Sequence, residues 1–192
     1  MVLVVPTALI GETRATTQDG RVVLLYPDGS WKEAPGDTAS STEGFREAQW
    51  GAPPEQVKKL EKAELDQDAS RSDLLVYRDT VGGLPAAVGY FFASNKLCRG
   101  RYVFLAEHSN QNDYIDDFKA VEDILTRKYG KPKDDGPIWR NELYRDEAAH
   151  WGFAVSLGHL VYYASWSTPG TSISEQLTGE NYKITHMVEY VS

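Results

Sequence analysis

Histidine is the side chain best suited to acid–base or metal chemistry near neutral pH, and the chain has four histidines. His186 alternates in phase with Ile184 and Val188 in a predicted strand, so we expect it on the apolar face as a core residue. The other three fall in a tight turn or at strand ends: His108, His150 and His159. No two of them have the helical spacing of a zinc site and no paired-cysteine motif is present, so we predict no metal site and no cofactor.

Nucleophilic chemistry has one obvious candidate, Cys98, the only cysteine, which therefore forms no disulfide within the chain. Strand alternation separates it from Arg99 and places it on the core side, where we expect a small buried apolar residue. The acidic cluster Asp113, Asp116 and Asp117 has helical spacing and lacks the glycine turn of a calcium loop. Phosphate-binding, serine-hydrolase and dinucleotide-binding motifs are absent. We therefore predict no catalytic residue, and an enzyme is the less favoured class.

One predicted strand, Leu160–Trp166, carries large apolar side chains on both of its faces. Tyr162 and Trp166 lie on one face and Tyr163 on the other, whereas a half-exposed strand alternates apolar with polar residues. Either both faces are buried, or aromatic side chains line a groove or a partner surface. Two arginines of an earlier strand would border such a surface. The candidate interaction surface therefore comprises four residues: Arg99, Arg101, Tyr163 and Trp166.

Charge and hydropathy restrict the partners that the chain can bind. The formal net charge is −8 and the isoelectric point is near 5.0, which argues against nucleic-acid binding because phosphates attract basic surfaces. The same charge argues against electrostatic anchoring to a membrane. The apolar stretch 2–10 is too short to span a bilayer, so we predict no transmembrane segment. A protein or a small apolar ligand remains as the class of partner.

The pattern along the chain divides it into four segments. Residues 1–15 are either the remnant of a signal peptide or a plain N-terminal strand or frayed end. Residues 16–33 predict a small β-hairpin that turns at Pro27-Asp28-Gly29-Ser30. Residues 34–43 are rich in Pro, Gly, Ser and Thr and predict a linker. Residues 44–192 predict the main domain.

The main domain alternates predicted helices with groups of predicted strands. Pro53 and Pro54 open a first helix, because proline is tolerated in a first turn, and the apolar spacing predicts a longer helix over 112–129. The predicted strands are 45–50, 74–80, 86–93, 97–107, 138–144, 151–157, 160–167, 173–177 and 182–190. Glycine and asparagine predict tight turns at Gly82-Gly83, Ser94-Asn95, Gly158-His159 and Gly179–Asn181, and residues 134–136 predict a loop. We therefore predict an α+β fold, largely an antiparallel meander, with two helices in helix-plus-strands order twice, preceded by a small β-hairpin. An internal duplication would explain that order.

The segment FREAQWGAPPEQVKKLE, residues 45–61, resembles a motif of uncharacterised bacterial proteins that are often exported, F-R-x-x-x-W-G-M-S-x-x-E-V-x-x-x-E. The matching residues are Phe45, Arg46, Trp50, Gly51, Val57 and Glu61. Ala52 and Pro53 stand where methionine and a capping serine are usual, so proline geometry must start the helix here. The hairpin DGRVVLLYPDGSWK is similar to an N-terminal D-G-R…D-G-T-W element of such proteins. The resemblance implies an exported or envelope-associated domain and brings no catalytic residues.

Three functions remain open at this point. The favoured one is a non-catalytic binding or assembly domain of the bacterial cell envelope, located in the periplasm or associated with the envelope. The second is a hydrolase whose site is assembled from residues that are distant in sequence. The third is a cytoplasmic interaction protein.

Overall fold

A computed structural model describes residues 13–16, 22–26, 30–33 and 43–192, and the chain divides into an N-terminal unit up to Thr42 and a main unit from Glu43. In the N-terminal unit, β1 (Thr13–Thr16), β2 (Val22–Leu25) and β3 (Trp31–Glu33) form an antiparallel sheet in that order. The predicted hairpin is therefore extended by a third strand, β1, which overlaps the end of the segment 1–15 for which an N-terminal strand was one of the interpretations. Most of the predicted segment 1–15, the Pro27–Gly29 turn and the linker up to 42 lie outside the described residues.

The main unit begins with a tight hairpin and a short helix. The hairpin consists of β4 (Gly44–Phe45) and β5 (Ala48–Gln49), and the helix is α1 (Pro54–Leu60). Four strands follow: β6 (Glu64–Leu65), β7 (Leu74–Val81), β8 (Leu84–Ala93) and β9 (Lys96–Phe104). The second half contains α2 (Asp113–Tyr129), β10 (Asp134–Trp139), α3 (Trp151–Ser156), β11 (Leu160–Thr168), β12 (Thr171–Glu180) and β13 (Lys183–Val191).

Strands β6 to β13 form one antiparallel sheet of eight strands in the order β6-β7-β8-β9-β13-β12-β11-β10. The first half contributes α1 and four strands, the second contributes α2 and four strands with α3 inserted after β10, and the halves join where β9 pairs with β13. From either edge of the sheet towards its centre, the four strands of that half follow one another in chain order. This arrangement confirms the predicted α+β class and the helix-plus-strands order repeated twice.

The meanders are closed by two-residue turns whose sequences tolerate positive φ. Gly82 and Gly83, with φ of 61° and 88°, connect β7 to β8, and Ser94 and Asn95, with φ of 48° and 64°, connect β8 to β9. Both turns were predicted. The turn between β12 and β13 falls on Asn181 and its neighbour, one residue later than the centre of the predicted Gly179–Asn181 turn.

Three predicted strands are wrong in type or position. The apolar run 151–157 is mainly the helix α3, and Gly158, at φ 73°, follows its C-cap rather than turning a hairpin. Residues 45–50 form the β4–β5 hairpin, which bends at Arg46 with φ 56°, instead of one strand. The strand predicted over 138–144 begins earlier, so Asp134 to Gly136, predicted as a loop, belong to β10.

All three helices pack on the same face of the eight-stranded sheet, which we call the covered face. Apolar residues of α2 and α3 meet buried side chains of β11 and β12 there, and α1 with the β4–β5 hairpin packs over β8 and β9. The buried residues of α2 are Ile115, Phe118, Val121 and Leu125. The opposite side, which we call the open face, carries the alternate residues of each strand, among them Tyr163, Gln176, Met187 and Val103 along one row.

Candidate functional site

The centre of the open face holds two arginines that share one carboxylate. Register places Glu189 of β13 opposite Arg101 of β9 and Phe91 of β8 opposite Arg99. Arg101 Nε donates to Glu189 Oε1 at 2.9 Å, and Arg99 Nη1 lies 3.7 Å from the same oxygen. Both guanidinium groups lie near the Phe91 ring, at 5.1 Å for Arg101 and 5.8 Å for Arg99. The cluster therefore presents one uncompensated positive charge on a protein whose net charge is −8.

A shallow depression of about 310 Å³ adjoins this cluster on the open face. Tyr163, Glu189 and Val191 contribute to its walls, together with four serine residues, Ser165, Ser167, Ser172 and Ser174. Register aligns Tyr163 with Gln176 and Met187, and Tyr163 is half-buried. The open face thus combines hydroxyl groups, one aromatic side chain and cations in a connected area.

Trp166 borders the depression, but its side chain does not point into this surface. It is 3% exposed on the covered face, and its indole Nε1 donates to the carbonyl oxygen of Gly130 at 3.0 Å. Its distance of three positions from Tyr163 along β11 puts the two side chains on opposite faces of the sheet. The structure therefore places Arg99, Arg101 and Tyr163 of the four predicted residues on the open face, where Glu189 links the two arginines to the depression that Tyr163 lines. The side chain of Trp166 lies on the other face and anchors the segment after α2 to the sheet.

The segment FREAQWG fixes the β4–β5 hairpin onto the covered face. Phe45 is buried among the rings of Tyr90, Tyr102 and Tyr190, with centroid distances of 5.1, 4.9 and 5.2 Å. Gly100 makes room for it, because a Cβ at that position would lie 2.0 Å from the Phe45 ring.

The polar residues of the same motif close the hairpin onto α1 and the sheet. Arg46 pairs with Asp79 at 2.6 Å, and its Nε lies 3.4 Å from Glu61 Oε2. Glu61 accepts the Tyr90 hydroxyl at 2.5 Å, and burial together with that hydrogen bond raises the pKa of Tyr90. Trp50 Nε1 donates to Thr171 Oγ1 at 2.8 Å. Each of these groups finds its partner inside the main unit, so the motif has a structural role.

Proline geometry starts α1, as the replacement of the usual capping serine predicted. Pro53 occupies the N-cap with ψ 159° and makes no side-chain cap, and Pro54 takes the first helical position. The residue after the helix, Glu61, then uses its Oε1 to accept the backbone N–H groups of Lys62 and Ala63, at 2.8 and 3.0 Å. A side chain of the motif therefore fixes the turn that follows the helix.

The covered face also contains a buried pair of an acid and a histidine, Glu175 and His186, of which the sequence predicted only the histidine as a core residue. His186 is a core residue, as the alternation of β13 predicted, and its Nε2 lies 2.8 Å from Glu175 Oε1. Burial raises the pKa of Glu175 to about 9 and lowers the pKa of His186 to about 3, so a neutral carboxyl group donates to a neutral imidazole near pH 7. With side-chain exposures of 0% and 3%, the pair lies beyond the reach of a substrate. Glu175 alternates in phase with Ile173 and Leu177, and this pattern was the signal that the sequence offered.

The remaining reactive side chains are dispersed. Cys98 is partly exposed rather than buried, with its Sγ 3.6 Å from the carbonyl oxygen of Phe91. His108 pairs with Asp117 at 2.6 Å and His150 with Glu147 at 2.8 Å, both in partly or fully exposed positions. Within residues 13–16, 22–26, 30–33 and 43–192, no group of three or more potential ligands is placed to hold a metal ion.

Among the described residues, no helix has the length and apolarity that crossing a membrane requires. Comparison of the chain with protein-family models, curated proteins and solved structures finds no match in any of the three. The functional interpretation therefore depends on the geometry of the chain itself.

Proposed function

We propose that the chain is a non-catalytic binding or assembly domain of the bacterial cell envelope, and that the open face of the eight-stranded sheet is its binding surface. The observation that carries the proposal is the arrangement of Arg99 and Arg101 around the single carboxylate of Glu189. This arrangement leaves a local positive charge on a protein whose net charge is −8, and such a charge can attract an acidic partner.

The chemistry of this cluster favours a protein partner with an acidic surface. Guanidinium groups bind carboxylates through planar, paired hydrogen bonds, and arginine and tyrosine are enriched at protein interfaces. Arg99 is 44% exposed at its side chain, so its donors are available to a partner. Tyr163 and the serine hydroxyls of the adjoining depression supply adaptable polar contacts on the same face of the sheet.

The envelope location rests on the resemblance of residues 45–61 to exported bacterial proteins. Cell fractionation of the native host, followed by immunodetection, tests it. We expect the protein in the periplasmic or membrane fraction. Recovery in the cytoplasmic fraction alone would contradict the location and would favour the cytoplasmic interaction protein.

Site-specific photo-crosslinking in the native host tests the binding surface. A photoreactive phenylalanine at position 163 lies on the open face, and the same group at Tyr182, 67% exposed in the turn before β13, serves as the control. We expect a discrete adduct from position 163 and none from position 182. Mass spectrometry of the adduct then identifies a partner that can be purified.

Binding of that purified partner separates a specific surface from adventitious capture. The double variant Arg99→Gln, Arg101→Gln removes both cations, whereas Arg127→Gln removes one exposed cation from α2 on the covered face. We expect the double variant to weaken binding at least about tenfold and the control to leave it unchanged, as for charge pairs that are desolvated at an interface. Equal binding by all three proteins would refute the assignment of the surface.

A further inference from the structure

A second cavity lies on the covered face, where the two halves of the sheet meet. Its volume is about 160 Å³. Its floor is formed by β9 and β13, which contribute Tyr102 and Phe104, and Val188 and Tyr190, respectively. Its walls come from α2 and from the turn between β7 and β8: Val81, Gly82, Val121, Ile124, Leu125 and Lys128.

The turn between β7 and β8 closes one side of this cavity without filling it. Gly82 reaches α2, because a Cβ built on it would lie 3.0 Å from Cδ1 of Ile124. Gly82 and Gly83 both have positive φ and carry no side chain, so the space between the turn and the floor stays open. Ile124 is 37% exposed and stands at the entrance.

The lining is mainly apolar and has one cation. Lys128 is exposed in the last turn of α2, its Nζ lies 5.0 Å from the centroid of the Tyr129 ring, and it has no acidic partner in the described part of the chain. An apolar cavity with a free ammonium group at its edge is complementary to a molecule with an apolar body and one negative charge. The net charge of −8 repels anions, and it disfavours a ligand with several negative charges more than a ligand with one.

We propose that this cavity binds a small apolar carboxylate, an aromatic or short aliphatic acid whose ring or chain contacts Phe104, Val121 and Val188 and whose carboxylate pairs with Lys128. The volume suits such a ligand, because an apolar cavity of about 150 Å³ in another protein holds benzene. The site lies on the opposite side of the sheet from the open face and does not depend on the function proposed for that face.

Titration of isotope-labelled protein with benzoate, followed by NMR, tests the site, with benzyl alcohol as the neutral analogue of similar size. We expect saturable shifts confined to α2, β9, β13 and the turn between β7 and β8 for both molecules, and tighter binding of benzoate. The variant Ile124→Trp places a bulky ring at the entrance, at a position exposed enough to accept it. It should weaken the binding of both molecules at least about tenfold. Absence of saturable shifts at these elements, or unchanged binding by Ile124→Trp, would overturn the site.

A matched pair of variants tests the carboxylate contact. Lys128→Gln and Arg127→Gln each remove one exposed positive charge from the last turn of α2, and only Lys128 lines the cavity. We expect Lys128→Gln to weaken the binding of benzoate about threefold to fivefold and to leave the binding of benzyl alcohol unchanged. A loss of this size is expected when a solvent-exposed ion pair is removed. Arg127→Gln should change neither. If both variants weaken benzoate equally, or if neither does, Lys128 does not bind the carboxylate.

Discussion

Replacement of Glu175 by glutamine should invert the pH dependence of stability that the buried acid–histidine pair imposes. Glutamine has nearly the shape of glutamic acid, and its amide can still donate to His186 Nε2, so the hydrogen bond at 2.8 Å has a substitute. What the substitution removes is one titrating group. The change in stability with pH therefore reports whether the pair holds a proton in the folded protein.

The sign follows from the two displaced pKa values. Glu175 titrates near 4.5 when unfolded and near 9 when folded, so its contribution to stability is complete below 4.5 and is lost as the pH rises to 9. His186 titrates near 6.5 when unfolded and near 3 when folded, so its contribution is complete above 6.5 and is lost as the pH falls. Between 4.5 and 6.5 each state of the pair holds one proton, and the two effects cancel.

Above pH 6.5 the unfolded pair loses its proton and the folded pair keeps it. One proton of difference changes the free energy of unfolding by about 1.4 kcal/mol per pH unit, so the wild-type pair should lose about 2 kcal/mol between pH 6 and pH 8. In Glu175→Gln only His186 remains, and its contribution is constant above 6.5. The free energy of unfolding of the variant should instead fall by about 2 kcal/mol between pH 7 and pH 5, because His186 gains a proton in the unfolded state and stays neutral in the folded state.

Urea unfolding followed by tryptophan fluorescence at pH 5, 6, 7 and 8 measures these slopes. Other groups titrate in both proteins, including Glu122 on α2, whose pKa burial and Asp135 raise to about 7, so the informative quantity is the difference between the curves. Glu180→Gln, an exposed carboxyl group on the same strand, is the control and should follow the wild type. If Glu175→Gln and wild type have parallel curves from pH 6 to pH 8, the folded protein does not hold a proton on this pair.

Two further substitutions test the packing of the covered face. Gly100→Ala should lower the free energy of unfolding by about 2–3 kcal/mol, because its Cβ would lie 2.0 Å from the buried Phe45 ring, whereas in Gly89→Ala the closest atom is a ring edge at 3.1 Å and the loss should be smaller. Trp166→Phe should cost about 1–2 kcal/mol through the lost hydrogen bond to the Gly130 carbonyl and the smaller ring. Urea unfolding measures both, and a Gly100→Ala protein as stable as wild type would contradict the described position of Phe45.

The sequence predicts most reliably the elements whose own residues favour a single backbone conformation. The helix α2 has an apolar stripe over four turns, acidic residues at its start and Gly130 after its end, and it begins one residue from the predicted position. The Gly82-Gly83 turn has the residues that positive φ requires. In contrast, α3 is a run of six residues, too short for a helical period to differ from a strand, and tertiary packing decides it.

For the candidate surface, the sequence predicts only which residues of one strand share a face. Alternation separates Tyr163 from Trp166, but it does not say which face the helices cover, and that depends on pairing between β9 and β13 across the chain. The same pairing brings Glu189 beside Arg101, residues that are 88 positions apart. A contact of this kind has no local signal, so the charge cluster could be found only in the folded structure.

The motif that gives residues 45–61 their resemblance to exported proteins performs no chemistry in this fold. Phe45 fills the space above Gly100, Arg46 and Glu61 pair with each other and with neighbouring polar groups, and Trp50 donates to Thr171. In this chain, residues 45–61 therefore attach the β4–β5 hairpin and α1 to the sheet. The binding surfaces that we propose therefore lie elsewhere, at the net positive cluster of Arg99, Arg101 and Glu189 on the open face and at Lys128 beside the apolar cavity.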